Sequence, residues 1–130
     1  MSTTADDVGK LIMRGALGAL ILLHGIDKVR HGIDPIRDMV VGAGLPAEVA
    51  YGVYITEVIG PILLILGAYA RIGAALVALN MLAAIWLAHT NEIFMLTEHG
   101  AWALELQGMF LFTALALILT GPGRFGVNTR

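Results

Sequence analysis

ALGALILLHGIDKVRHG, residues 16–32, begins as unbroken hydrocarbon and ends in His24, Asp27, Lys28, Arg30 and His31. An apolar run of this kind is a candidate membrane span, and its polar end has two readings. It is either the place where a span surfaces into water, or one wall of a polar site that other segments complete. It does not read as a cleaved secretory signal: Arg14 interrupts the apolar stretch, Asp6 and Asp7 stand where a basic region would be, and no small-x-small cleavage site follows Leu23. We read it as a retained span.

The rest of the chain points to the same environment. Of 130 residues, 58% are apolar and 14% charged, against about 25% charged in a soluble domain, so polar groups are too few to cover a water-facing surface. Leu11–Val29, Val49–Tyr69, Ile72–His89 and Ala101–Thr120 are the apolar segments. None alternates with the period of a barrel strand, and a helix satisfies its own backbone inside a bilayer. The expected fold is all-α: a four-transmembrane-helix, up-down bundle over residues 11–120, between cytoplasmic tails at 1–10 and 121–130. The chain has no cysteine, which removes disulfide exchange, thiolate catalysis and iron–sulfur ligation. Any redox role must borrow its electron carrier, and no cofactor is expected to be covalently bound. A net charge of −2 without a basic run argues against nucleic acid as a partner.

The connections differ in length. Only Ala70 and Arg71 separate the second and third segments, predicting a tight helical hairpin. Between Arg30 and Glu48 the chain carries helix signals of its own: Asp34 as N-cap, Pro35 at the first helical position and Gly42 just past the end. Ile36, Met39 and Val40 share one face of that predicted helix, which is expected to lie in the membrane interface. The link TNEIFMLTEHG, residues 90–100, mixes polar and apolar residues and reads as interfacial too. Lys10, Arg14, Arg71, Arg124 and Arg130 fall on the side of the termini, against Lys28, Arg30 and Arg37 on the other. That bias puts both termini in the cytoplasm.

Up-down topology brings the end of the first span and the starts of the second and fourth to one membrane face, with the end of the third. His24, Lys28, Glu57, His89, Glu105 and Gln107 then share a depth. His24 and Lys28 lie on one helix face, and Tyr54, Glu57 and Pro61 on one stripe. Glu57, about two turns inside its helix, is too deep to snorkel and needs a partner, a proton or a cavity; a carboxylate at that depth is a functional-site candidate. His24, Glu57 and His89 are the candidate reactive groups, with Lys28, Tyr54, Glu105, Gln107, Trp86 and Trp102 around a ligand. Each also has a bland reading. The histidines and Lys28 suit a headgroup region, Glu105 suits a helix N-terminus, and Tyr51, Tyr54, Trp86 and Trp102 suit an aromatic belt. Arg14 is expected to be a snorkelling anchor and Asn80 helix–helix glue. On a straight helix Asn80 and His89 point in opposite directions, so one pocket should not take both.

RGALGALILLHGIDK, residues 14–28, resembles the R-x-x-L-G-x-x-F-L-x-H-G-x-x-K pattern of DoxX-type membrane proteins. The Gly44-Leu45-Pro46 turn, Glu57, LGAYARIGAALVALNMLAAI and the closing Gly121–Arg124 are similar to the same family, so the resemblance runs along the whole chain. It implies a four-helix inner-membrane protein that partners soluble oxidoreductases or membrane redox subunits, with relatives in thiosulfate:quinone oxidoreduction and in quinone or thiol stress. Matched by position, it points to Arg14, His24, Lys28, Glu57 and His89.

Four functions compete. A quinone, apolar apart from its carbonyls, could enter from lipid and meet His24, Glu57 and His89, while a partner supplies electrons. The bundle could instead anchor a soluble enzyme and have no ligand. His24 and His89 could ligate a b-type haem. A transporter would need an inverted repeat that the sequence lacks. No metal site is expected, and the sequence leaves room for a homo-oligomer.

Overall fold

The computed structural model describes residues 3–128, so Arg130, counted above among the inner cations, lies outside the described residues. The described chain is helical: α1 (Thr4–His31), α2 (Asp34–Gly42), α3 (Ala47–Leu66), α4 (Ala70–Ala88) and α5 (Glu105–Thr120). Three of these, α1, α3 and α4, are long and apolar enough to cross a membrane, while α5 is apolar but shorter at 16 residues. Packing links α1 to α3, α3 to α4, α4 to α5 and α5 back to α1. Leu17, Ile21, Leu64, Val77, Ala114 and Leu117 fill the space between them.

Several boundaries move from where the sequence put them, each for a local reason. The first helix starts at Thr4, inside the expected tail, because Thr3 and Asp6 form a reciprocal capping box. Asp34 is the first helical residue of α2 rather than its cap, since its carboxylate is held by Arg37 Nη1 at 3.2 Å. Ile33 and Val40 seal α2 against Ala50 at the start of α3; Met39, read on the same face, is 37% exposed. The hairpin turn is Gly67–Ala68–Tyr69, not Ala70–Arg71. Gly67 takes the left-handed conformation that closes α3, and Tyr69, at φ 48°, opens α4. The last helix begins at Glu105 rather than Ala101 because the preceding backbone is spent elsewhere: Thr97 N–H donates to Ala101 and Ala103 N–H to Met95.

Arg14 is the largest correction. It does not snorkel but is fully buried. Its Nη1 donates to Leu64 C=O at 3.2 Å, a carbonyl in the last turn of α3 that also accepts from Gly67 N–H, and its Nη2 donates to Phe125 C=O. The guanidinium thereby joins three separate pieces of chain. Residues after α5 fold back as a strap, with Val127 and Asn128 N–H donating to Leu66 and Gly67, and Arg124 reaching Asp7 at 3.3 Å. A lysine cannot reach two divergent carbonyls. We therefore expect Arg14→Lys to lose one charge-assisted hydrogen bond, about 1.5–3 kcal/mol, and to release the strap to limited proteolysis near Phe125. Cleavage no faster than in the wild type would contradict this role.

Candidate functional site

The site begins with a proline. Pro61 has no N–H to give the carbonyl of Glu57, and α3 widens there: Ile55–Ile59 is a π-turn, with Gly60 N–H bonding back to Ile55 C=O. Helix α1 comes close to the Glu57 carbonyl. A Cβ placed on Gly25 would lie 2.2 Å from Glu57 O, so only glycine permits this approach. One turn further along α1, Lys28 Nζ sits 2.6 Å from Glu57 Oε2 and 3.0 Å from Oε1. Gly25 sets the distance between the helices, and Lys28 supplies the countercharge.

From α4, Asn80 Nδ2 donates to Glu57 Oε1 at 3.3 Å, while Asn80 Oδ1 accepts from Thr56 Oγ1 at 3.0 Å. Lys28, Glu57, Asn80 and Thr56 thus form one connected network, in which Glu57 is 6% exposed and Asn80 8%. Asn80 does join two helices, as a glue residue would, but the group it holds is the buried carboxylate.

This network stands between two cavities. The larger, about 450 Å³, has apolar walls that include Met39, Val49, Leu79 and Ala83, and polar groups from Lys28, Glu57, Asn80 and His89. The smaller, about 130 Å³, is lined by Ile21, His24, Met81, Gln107 and Phe110, with Glu57 and Asn80 again on its wall.

A model of the DoxX family matches residues 9–90. The chain belongs to the DoxX family. It is also 30% identical, over 115 residues that make up 88% of this chain and 81% of the other, to a Bacillus subtilis (strain 168) protein named "Putative oxidoreductase CatD". No solved structure matches. With its apolar helices, this DoxX protein is a multi-pass membrane protein.

Residues expected in one pocket are divided between the two cavities or left outside both. His24 lines the small cavity, its ring set edge-on to Phe110 at 6.4 Å, and His89 lines the large one. The two histidines therefore do not line one cavity. Asn80 and His89 do line one cavity, contrary to the straight-helix reading. His89 caps α4 with non-helical backbone (φ −131°, ψ 14°), which turns it off the helical path. Its Nδ1 is buried, 3.4 Å from Glu92 Oε1 and outside hydrogen-bond geometry.

Tyr54 lines neither cavity and packs with the Ile33–Val40–Ala50 cluster. Glu105 is exposed at the start of α5, and Trp86 is 56% exposed on the outer surface, as a belt residue would be. Trp102 covers Gly108 and donates to Ile93 C=O at 2.7 Å, which ties the 90–104 loop to α5. Gln107 alone of the α5 candidates reaches a cavity.

Thr56 was not singled out from the sequence, and neither was the role of Gly25. The proline four residues after Glu57 carried a readable signal, since it frees a carbonyl that a neighbouring helix can approach only through a residue without a side chain. Among the described residues no cluster of three or more His, Asp and Glu side chains is placed to hold a metal ion.

Proposed function

We propose that this DoxX protein is the membrane component of a redox system, holding a quinone or a similar lipophilic ring in the larger cavity while an oxidoreductase partner supplies electrons. In this reading α1, α3 and α4 cross the membrane together with the shorter α5, up and down, in a cytoplasmic-membrane setting with both termini inside. The observation that carries this reading is the cavity itself. Its volume of about 450 Å³ is in the range of small-molecule sites, which pair mostly apolar walls with a few polar groups. Val49 and Leu79 on its wall are 51% and 57% exposed, so its rim suits a ligand arriving from acyl chains. Lys28 and Asn80 are donors for carbonyl oxygens, and Glu57 can exchange protons. The name of the Bacillus relative agrees with a redox setting. His24 and His89 line different cavities, an arrangement that favours the quinone reading over a bis-histidine haem.

Titrating the protein, purified in mild detergent, with short-chain ubiquinone and menaquinone analogues tests the reading. Saturable binding is expected. Glu57→Gln should weaken it about tenfold, near 1.4 kcal/mol, and Ala83→Phe, which fills the cavity, should abolish it. If nothing binds saturably, or both variants bind like the wild type, the anchor reading takes its place.

A further inference from the structure

In the ligand reading above the small cavity is left empty of ligand, yet it shares Glu57 with the large one. Its other polar groups are Asn80, His24 and Gln107. His24 belongs to a titratable stripe on α1: His24, Asp27 and His31 recur at helical spacing on one face. At the outer end of the stripe His31 Nδ1 is 2.9 Å from Asp27 Oδ1, with side chains 68% and 69% exposed. His24 Nδ1 lies 2.9 Å from Leu20 C=O. A carbonyl only accepts, so Nδ1 carries the hydrogen and Nε2 is left to take up or release a proton. At roughly 30 Å³ of liquid per water, a cavity of about 130 Å³ has room for several waters between His24 and Glu57.

We propose that this side of the molecule is a proton route to Glu57, separate from the path the ligand takes. Asp27 and His31 collect protons at the surface, and His24 carries them to water in the small cavity. In each transfer the imidazolium gives up its Nε2 proton and becomes neutral, and Glu57 goes from carboxylate to carboxylic acid. Glu57 then gives the proton to the ligand in the large cavity and returns to the carboxylate paired with Lys28. The route moves protons only. Converting a quinone to a quinol takes two electrons, from a flavin- or nicotinamide-bearing partner, and two protons, hence two such cycles. The last step rests on the ligand reading above; the delivery of protons to Glu57 does not. The polar groups facing Glu57 are Lys28 from α1, Asn80 from α4 and, across the cavities, His24, Gln107 and His89.

The test is infrared spectroscopy of the full chain in lipid nanodiscs after an acid jump, following the carboxyl band that Glu57→Gln removes. In His24→Ala that band should appear about a hundredfold more slowly, and added imidazole should restore the rate, which a merely structural histidine would not allow. Ubiquinone-analogue binding should stay at the wild-type level, because His24 does not line the large cavity. A wild-type rate in His24→Ala, no rescue by imidazole, or no Glu57 band at all would overturn the route. Proton delivery behaving as described while no analogue binds would uphold the route and remove the ligand reading instead.

Discussion

Lys28→Met will destabilise this protein by about 3–5 kcal/mol, the range for a buried ion pair that loses one partner, and more than Glu57→Gln will. The asymmetry follows from reach. The Lys28 side chain is 20% exposed and that of Glu57 8%, and a long ammonium stem can turn toward the headgroups when its partner is gone. The carboxylate, fixed on a π-turn beneath α1, cannot turn outward in this way and can relieve the lost countercharge only by taking up a proton, itself at a cost in stability. Asn80 supplies one hydrogen bond to Oε1, which does not replace a countercharge. The double variant Lys28→Met/Glu57→Gln removes both charges and should recover most of the loss. Unfolding in mixed micelles would rank wild type first, then Glu57→Gln, with Lys28→Met last and the double variant above Lys28→Met. A Glu57→Gln variant as unstable as Lys28→Met would show that the lysine is held as tightly as the carboxylate.

Gly25→Val is expected to do comparable damage by a different route. Even the first carbon of a side chain would overlap the Glu57 carbonyl, at 2.2 Å from O and 2.7 Å from C, and both are backbone atoms that cannot rotate away. Overpacking of this kind costs about 3 kcal/mol or more. It must push α1 off α3, carrying Lys28 away from its partner, so lost stability and lost analogue binding should appear together. Gly15 is the control on the same helix. Nothing lies within 4 Å of a Cβ there, and Gly15→Ala should be neutral or stabilising by up to about 1 kcal/mol. Native-like melting and binding in Gly25→Val would show that the two helices do not need to approach this closely.

A close helix approach, a proline-induced π-turn and a lysine one turn along α1 combine to hold a carboxylate inside a membrane protein. Packing one helix against another in lipid favours small residues at the contact. Here the small residue also decides where the charge pair sits. Gly60 and Gly73 do the same between α3 and α4, where a Cβ on Gly73 would lie 2.7 Å from Gly60 C=O. That second close crossing brings Asn80 within reach of Glu57.

Hydropathy and the missing cysteines were enough to place the chain in a bilayer, to make it helical, and to exclude thiol and iron–sulfur chemistry. These are properties of composition and period, and no fold changes them. That Glu57 lies well inside its helix was also legible, because it depends only on counting turns from a helix start. Which group would answer Glu57 was not. Lys28, His24, His89 and Gln107 all shared its expected depth, while Asn80 read only as glue between helices, and choosing among them needs the rotation of each helix about its axis, which is set by close contacts at Gly25, Gly60 and Gly73. Arg14 was misplaced for a related reason: an arginine near a span end usually snorkels, and only the return of residues 121–128 across that end gives it carbonyls to hold. His89 shows the same dependence, since a single non-helical residue at the end of α4 turned it into the cavity that a straight helix would have denied it.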